Sequence, residues 1–246
     1  MKERLDKLMV SRGYAPSRER AQALILAGRV LVNEQKIEKP GSPVAADAVF
    51  RLLGDDLRYV GRGGLKLEAA LAEWKIDLSG LFCADIGAST GGFTDCMLQH
   101  GAARVLAIDT GYGQIAQKLR DDPRVQLMER TNARHLAPDS LPPGITFAAM
   151  DVSFISATLV LPAVVAAARP ERMVVLAKPQ FEAGRQHIGK GGIVRSPEAQ
   201  RAAVERVRSC LMELGAGSIQ ERESPILGAE GNREFLLDAI WKATGA

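Results

Sequence analysis

The sequence predicts an α/β protein with a doubly wound, mostly parallel sheet, preceded by a small α+β domain. From residue 65 onward, short apolar segments alternate with helical patterns, which is typical of parallel sheets. Before residue 53, two helical patterns are followed by three short strand patterns. The sequence therefore predicts one domain over residues 1–52 and another over 65–246. Gly and charged residues cluster between them and predict a linker over 53–64.

The small domain begins with an apolar stripe. Leu5, Leu8 and Met9 recur at helical spacing, and Gly13 ends that helix. Ser17 is a typical N-cap for a second helix, which runs to Gly28. The three strands that follow are predicted at Arg29–Asn33, Lys36–Glu38 and Ala48–Arg51.

The large domain holds seven predicted strands, most of which are short apolar segments bounded by polar or Gly residues. They cover 82–86, 104–108, 125–128, 145–150, 173–177, 218–223 and 234–240. Helices are predicted over 65–76, 92–100, 155–168 and 197–214. Because sites in such sheets form beyond the carboxyl ends of the strands, residues at those ends are the candidates for function.

Composition narrows the class of protein. The chain has 246 residues, of which 46% are hydrophobic and 25% charged, and it holds three cysteines. No run of 18 apolar residues and no apolar signal core is present, so we expect a cytoplasmic protein. Residues 1–62 hold 12 Lys and Arg against 8 Asp and Glu, and this basic excess favours a polyanionic partner such as nucleic acid.

The small domain resembles the S4 RNA-binding domain over residues 3–52. The resemblance rests on Arg4-Leu5-Asp6, Gly13, Ser17-Arg18, Ala21, Ile25, Gly28, Val30, Val32-Asn33, Lys39-Pro40-Gly41 and Val44. It implies that basic side chains here meet RNA phosphates, which positions an RNA without reading its sequence. The predicted RNA-binding residues are Arg4, Arg12, Arg18, Arg20, Lys36 and Lys39, together with Arg62 in the linker.

The sharpest motif is a Gly-rich turn between a strand and a helix, Asp85 to Phe93. Glycines there let the backbone approach a ligand, and a helix N-terminus offers free N–H groups. Asp109 ends the next strand, where an acidic side chain can bind ribose hydroxyls. A dinucleotide site uses the same logic, but its G-x-G-x-x-G fingerprint fails because Ala88 and Ser89 follow Gly87.

The pattern D-x-G-x-x-x-G-G-F instead resembles the S-adenosylmethionine (SAM) loop of class I methyltransferases, and its Gly-Gly-Phe ending is similar to the FtsJ/RrmJ group. The resemblance implies SAM as cofactor and a Rossmann-like fold with seven strands. The predicted cofactor residues are Asp85, Gly87, Ala88, Ser89, Thr90, Gly91, Gly92, Phe93, Asp109 and Asn132.

The end of the fourth strand separates reaction types. Methylation of an amino nitrogen commonly uses Asp/Asn-Pro-Pro-Tyr there, whereas this chain has Asp151-Val152-Ser153-Phe154. Methylation at carbon 5 of a pyrimidine needs a nucleophilic cysteine, but Cys83, Cys96 and Cys210 lie inside predicted strands or helices. Both readings are disfavoured.

Four charged residues match, in order and in element, the Lys-Asp-Lys-Glu tetrad of ribose 2′-O-methyltransferases. They are Lys66, Asp151, Lys178 and Glu234. The chemistry also calls for such a set, because a ribose hydroxyl is a poor nucleophile near neutral pH. A lysine kept partly neutral by burial can accept or polarise its proton, and carboxylates can hold that lysine. No metal is required.

Taken together, the chain is similar to the TlyA family, which joins an S4 domain to an FtsJ-like domain. The matching segments include Val-Gly-Arg-Gly-Gly-Leu-Lys-Leu from Val60, Lys-Pro-Gln-Phe-Glu from Lys178 and Gly-Gly-Ile-Val-Arg from Gly191. The resemblance implies 2′-O-methylation of cytidine in 23S, and also in some members 16S, ribosomal RNA. The expected partner is ribosomal RNA or a ribosomal subunit. The family also carries a haemolysin label.

Two other functions were weighed against methylation. A non-catalytic RNA-binding or ribosome-assembly protein is disfavoured by the intact tetrad and Gly-rich loop. Direct membrane lysis is disfavoured because no spanning helix and no basic amphipathic helix with aromatic anchors is predicted.

Residues 184–191 nearly match a phosphate-binding loop, but Gly191 replaces its Ser or Thr. His100, His135 and His187 are dispersed, so no metal site is expected.

Overall fold

The computed structural model describes residues 2–15, 17–52, 58–228 and 231–241. The chain divides into two compact units, Met1–Arg58 and Tyr59–Ala246. Of the predicted linker, residues 53–57 lie outside the described residues. Residues 59–64 are part of the second unit, in whose core the Tyr59 side chain is buried.

The first unit is a pair of helices with two small antiparallel sheets. Its helices are α1 (Leu5–Ser11) and α2 (Arg18–Leu26). Its strands are β1 (Lys2–Arg4), β2 (Val30–Val32), β3 (Gln35–Lys36), β4 (Pro43–Ala45) and β5 (Phe50–Leu52). β1 pairs with β4, and β2 lies between β3 and β5.

The sequence pattern explains most of this unit. The stripe of Leu5, Leu8 and Met9 is buried, and Ser17 caps α2 by accepting a hydrogen bond from the Arg20 N–H. The pairing of β1 with β4 was not predicted, because Lys2–Arg4 is short and polar and carries no strand periodicity. The third predicted strand also shifts, from 48–51 to Phe50–Leu52.

The second unit is built on one sheet of seven strands. In chain order they are β6 (Phe82–Ile86), β7 (Arg104–Ile108), β8 (Val125–Met128), β9 (Ile145–Met150), β10 (Arg172–Ala177), β11 (Ser218–Glu223) and β12 (Phe235–Ile240). Their order in the sheet is β11-β12-β10-β9-β6-β7-β8. β12 is antiparallel to both of its neighbours, and every other pair of adjacent strands is parallel. The sheet is therefore mostly parallel, as predicted.

Helices cover both faces of this sheet. In chain order they are α3 (Gly63–Glu73), α4 (Gly92–Gln99), α5 (Gln117–Arg120), α6 (Leu161–Ala168), α7 (Pro179–Glu182) and α8 (Pro197–Glu213). Alternate strand residues face opposite layers: Ala84 and Ile86 of β6 pack in the core that includes α6 and α8 residues, whereas Cys83 packs in the core that includes α3 and α4 residues. Burial on both faces explains why these strands read as continuous apolar runs.

The helix predicted over 155–168 is instead two elements. A short 3-10 helix, Ala157–Leu159, precedes α6, which starts at Leu161. Ser156 caps the 3-10 helix through its hydroxyl, and Pro162 suits only the first turn of a helix because it lacks an N–H. The break leaves residues 151–156 as a loop after β9, at the edge of the sheet where the candidate site lies.

Candidate active site

The candidate site lies where the carboxyl ends of β6, β9 and β10 meet. These three parallel strands are neighbours in the order β10-β9-β6. Because β12 is antiparallel to β10, with Phe235 opposite Ala177, the residue before β12 lies at the same edge. Four segments distant in sequence therefore converge at this edge, as the strand topology predicts.

The Gly-rich turn after β6 is tightly fitted against the loop after β9. Gly87 has a φ of +87°, and a Cβ placed on it would lie 2.5 Å from the main-chain oxygen of Asp151. Gly91, with a φ of +95°, is the N-cap of α4. Only glycine meets both demands at Gly87, the left-handed conformation and the close backbone approach.

Asp85 lies under this turn with no exposed surface. One of its carboxylate oxygens accepts hydrogen bonds from the N–H and the hydroxyl of Thr94, at 2.8 and 2.6 Å. The other, Oδ1, is buried without a hydrogen-bond partner among the described residues. Burial raises the pKa of Asp85 to about 7, against the opposing effect of the Thr94 bonds. Asp85 therefore braces the first turn of α4 and retains one free acceptor.

Replacing Asp85 by Asn is expected to change how stability depends on pH. An acid whose pKa is raised in the folded state binds more protons folded than unfolded, so the stability of the wild-type chain falls as pH rises from about 4 to about 7. Asn removes this cost, by at most about 1.4 kcal/mol for each pH unit crossed. The measurement is urea unfolding followed by the fluorescence of Trp74 and Trp241. A difference between the two chains that stays constant from pH 4 to pH 8 would contradict the account.

A cavity of about 290 Å³ opens beside the Gly-rich turn. Its walls come from the ends of β6, β7 and β9 and from the segment after β8: Gly87, Ser89, Ile108, Asp109, Thr110, Gln114, Thr131, Asn132, Ala133, Asp151, Val152, Ser153, Phe154, Ile155 and Val160. The Asp109 carboxylate accepts hydrogen bonds from the N–H groups of Ser89 and Gly111, at 2.8 and 2.6 Å. The Asn132 side chain caps a short 3-10 helix. The predicted cofactor residues Asp109 and Asn132 thus share one cavity with Gly87 and Ser89.

A second cavity of about 180 Å³ adjoins the first, and the two share Gly87, Ser89, Asp151 and Ser153. The remaining predicted cofactor residues Ala88, Thr90, Gly92 and Phe93 line it, together with Gly61, Arg62, Gly63 and Lys178. Gly91 lines neither cavity. A Cβ at Gly91 would collide with the side chains of Leu119 and Ile115, so glycine is needed there for the conformation of the turn. The Arg62 guanidinium donates to the main-chain oxygen of Leu227 at 2.8 Å and is otherwise exposed.

Lys178 follows β10 directly and is 8% exposed. Its Nζ lies 2.6 Å from Asp151 Oδ1 and donates to the Ser153 hydroxyl, also at 2.6 Å. Asp151 and Ser153 belong to the loop after β9, the neighbouring strand. The ion pair therefore lies in the wall of the second cavity, between the Gly-rich turn and the end of β10.

Lys66 and Glu234 form the second ion pair. Lys66 lies on α3 and is 8% exposed; its Nζ is 2.5 Å from the Glu234 carboxylate. Glu234 precedes β12 and so lies at the end of the strand next to Lys178. The four predicted catalytic residues therefore form two lysine–carboxylate pairs, one between the ends of β10 and β9 and one between α3 and the residue before β12. Both lysines and Glu234 are buried, Asp151 is half-buried, and of the two pairs only Lys178–Asp151 lines either cavity.

Two residues of this edge were not predicted. Ser153 is a partner of Lys178, and Phe154, which is 91% exposed, lines the larger cavity. Phe154 has a φ of +66°, a conformation that is a true outlier for a bulky residue and often marks a functional site. The sequence offered one usable signal, an apolar aromatic side chain within a polar strand-end segment.

The predicted RNA-binding residues of the first unit are mostly held by that unit. Arg4 and Arg18 each lie 2.9 Å from the buried carboxylate of Asp6, and the Arg4 guanidinium, together with Gln22 and Arg18, lowers the pKa of Asp6 well below its usual range. About half of the side-chain surface of both arginines stays exposed. The pair is thus fixed in place and still open to a ligand.

The other basic residues of the unit differ from each other. Arg12 donates to the main-chain oxygens of Ala46 and Ala48 and stacks over the Phe50 ring, so it is partly committed to the fold. Lys36 pairs with Glu38 on the surface. Lys39 is exposed and Arg20 is half-buried.

The described residues contain no cluster of three or more His, Cys, Asp or Glu side chains that could hold a metal ion. Within the same residues, none of the helices combines the length and the apolar character needed to cross a membrane.

Known families match both units. The profile of the FtsJ-like methyltransferases matches residues 59–239, and that of the S4 domain matches residues 3–50. The YqxC protein of Bacillus subtilis is 47% identical over 246 residues, covering 99% of this chain and 88% of that protein. A relative from Mycobacterium tuberculosis, named 16S/23S rRNA (cytidine-2′-O)-methyltransferase TlyA, is 43% identical over 236 residues, covering 95% and 88%. A solved structure from Streptococcus thermophilus, described as a hemolysin, has a TM-score of 0.74 and 42% identity, covering 98% of this chain and 89% of that one.

Proposed function

This chain belongs to the TlyA family of FtsJ-like methyltransferases, and on that premise we propose that it transfers a methyl group from SAM to the 2′-hydroxyl of cytidine in ribosomal RNA. The observation that carries the proposal is the placement of two lysine–carboxylate pairs, both largely shielded from solvent, at the edge of the sheet that also bears the Gly-rich turn. A methyl acceptor with a weakly acidic hydroxyl needs such a set.

The residues around the larger cavity fit SAM. The ligand carries a sulfonium and an ammonium, and three carboxylates, Asp85, Asp109 and Asp151, lie around the Gly-rich turn. The free Oδ1 of Asp85 is an unused acceptor beneath that turn. We propose that Asp109 holds the ribose hydroxyls of the cofactor and that Asn132 lies near its adenine. Asp85 supports the methionine end through the turn.

When bound, SAM supplies an electrophilic methyl group on sulfur. The chain then has to hold the ribose hydroxyl in line with that group, and much of the rate comes from this positioning. Lys178, fixed by Asp151 and Ser153, contacts the hydroxyl. As the oxygen takes the methyl group, its proton passes to Nζ of Lys178, and Nζ gives up one of its own protons to the Asp151 carboxylate. Lys66, fixed by Glu234, orients the same hydroxyl from the other side.

RNA recognition is divided among several features in this proposal. The S4-like unit presents the Arg4–Asp6–Arg18 cluster to phosphates. At the cavity, the exposed ring of Phe154 offers a face on which an unstacked base can lie, since single-stranded RNA is commonly recognised by such stacking. Arg62 adds a cation beside the second cavity.

The proposal is tested by incubating the full chain with tritiated SAM and ribosomal subunits that lack the modification. Small and large subunits are used in separate reactions. We expect label in the RNA of the large subunit, and the same assay shows whether the small subunit is also a substrate. Equilibrium binding of SAM and of RNA is measured in parallel. A chain that binds both ligands but labels neither subunit would make a non-catalytic RNA-binding protein the better description.

A further inference from the structure

Glu182 is a buried carboxylate that the proposed mechanism does not use. It is the last residue of α7 and is 2% exposed. Its two oxygens accept hydrogen bonds from the Ser156 hydroxyl at 2.5 Å and from the Ala157 N–H at 2.7 Å. Burial raises its pKa, against the opposing effect of these two bonds. The carboxylate is therefore kept at a cost, and both of its side-chain bonds go to the junction between the loop 151–156 and the 3-10 helix Ala157–Leu159.

That loop is the segment after β9, which carries two groups of the candidate site. Ser153 accepts the hydrogen bond from Lys178, and Phe154 stands at the mouth of the larger cavity. The segment 178–182 contacts this loop at three successive points. Lys178 binds Asp151 and Ser153, the Phe181 ring lies 5.6 Å from that of Phe154, and Glu182 binds Ser156 and Ala157.

Phe154 needs such a support. Its φ of +66° costs on the order of 1–3 kcal/mol in a residue with a large side chain, and its ring gains little burial in return because it is 91% exposed. A conformation of this kind persists only where the flanking chain is fixed. Lys178 fixes the loop on one side of Phe154, and Glu182 fixes it on the other.

A purely electrostatic role for Glu182 is not supported by its surroundings. Over the described ranges, no Lys or Arg side chain lies within ion-pair distance of its carboxylate. Arg206 on α8 donates to the main-chain oxygen of Glu182, and its charge offsets only part of the effect by which burial raises the pKa of Glu182. An apolar side chain would be cheaper to bury at this position, so the two hydrogen bonds to the loop are what the carboxylate provides.

We propose that Glu182 is a positioning residue for RNA methylation, which holds the end of the loop 151–156 so that Ser153 and Phe154 face the target nucleoside. The proposal rests on the proposed function for the identity of the substrate. It makes no claim that Glu182 contacts RNA or cofactor.

The test compares Glu182→Gln with Glu182→Ala in the full chain. Gln keeps both bonds, because its oxygen can accept from Ala157 and its amide can donate to Ser156; we expect kcat/KM for ribosomal subunits within about threefold of wild type. Ala removes both bonds, and we expect kcat/KM to fall by about 10- to 100-fold, a loss typical of a displaced reacting group. The loss should appear in kcat, through Ser153 and Lys178, as well as in KM for RNA, through Phe154, and should exceed any loss of SAM affinity. Ser156→Ala removes one bond and should show a smaller loss of the same kind.

Glu213→Ala, at the exposed end of α8, is the matched control and should leave all these values unchanged. Amide hydrogen exchange over residues 151–158 should be faster in Glu182→Ala and unchanged in Glu182→Gln. If Glu182→Gln loses as much activity as Glu182→Ala, or if both keep full activity, the positioning role is excluded. If the melting temperature falls together with kcat/KM, and SAM affinity falls by as large a factor as kcat/KM, Glu182 has only a structural role. If wild type itself methylates no RNA, the proposed function fails, and hydrogen exchange alone then decides whether Glu182 holds the loop.

Discussion

Replacing Lys178 by Ala is expected to lower kcat for RNA methylation by about 10²- to 10⁴-fold, the range usually lost with a group that handles a proton in the reaction. Asp151 and Ser153 fix the Nζ of Lys178 in place. Among the described residues that line the second cavity, no other lysine is present to replace it. SAM affinity should change much less, because Lys178 lines the second cavity and not the larger one that holds Asp109 and Asn132.

The control for this substitution is Lys118→Ala. Lys118 also forms an ion pair with an aspartate, Asp95, at 2.9 Å, but its side chain is 57% exposed and it lines neither cavity. Loss of this pair should leave kcat within about twofold, because the Lys118 side chain is exposed and the Asp95 carboxylate keeps its hydrogen bonds from the Val60 N–H and Gln99. Single-turnover transfer at saturating SAM measures both variants. A Lys178→Ala chain that keeps more than a tenth of wild-type kcat would remove Lys178 from the mechanism.

Replacing Gly87 by Ala is expected to weaken SAM binding by at least about 100-fold, which corresponds to about 2.7 kcal/mol. The added Cβ would lie 2.5 Å from the Asp151 oxygen, 3.0 Å from its carbonyl carbon and 3.3 Å from the Cα of Val152. All three are main-chain atoms, so the turn or the loop after β9 has to move. Either shift displaces walls that both cavities share.

Gly80→Ala separates the clash from the backbone strain. Gly80 also has a positive φ, +75°, but a Cβ there would meet nothing within 4 Å. This variant should lose stability by about 1 kcal/mol and keep its SAM affinity. Isothermal titration with SAM and thermal unfolding of both chains give the comparison. Equal SAM affinities in the two variants would show that the close approach at Gly87 has no part in the site.

The inner strands of the sheet could be read from the sequence because they are buried on both faces. β6, β7, β8 and β9 were each predicted with their observed ends, since a mostly apolar run closed by Gly, Asp or Glu has clear limits. The positions of Asp151, Lys178 and Glu234 followed from the same reading. The ends of parallel strands share one edge, so residues at those ends come together without knowledge of any contact.

The contacts among these residues could not be read in the same way. That Lys178 binds Ser153, or that Glu182 binds Ser156 and Ala157, depends on the conformation of the loop after β9. That conformation includes a positive φ at Phe154, which no residue propensity favours. The division of the predicted helix over 155–168 has the same origin, since Ser156 and Pro162 set its breaks locally.

In the proposed reaction the methyl group goes to a ribose oxygen. The most direct measurement is to methylate undermodified large subunits with deuterium-labelled SAM, digest the RNA to nucleosides, and locate the label by mass spectrometry. We expect a cytidine whose label stays with the sugar fragment when the glycosidic bond is broken. Label on the base fragment would contradict it, because the Lys178–Asp151 and Lys66–Glu234 pairs would then serve a different reaction.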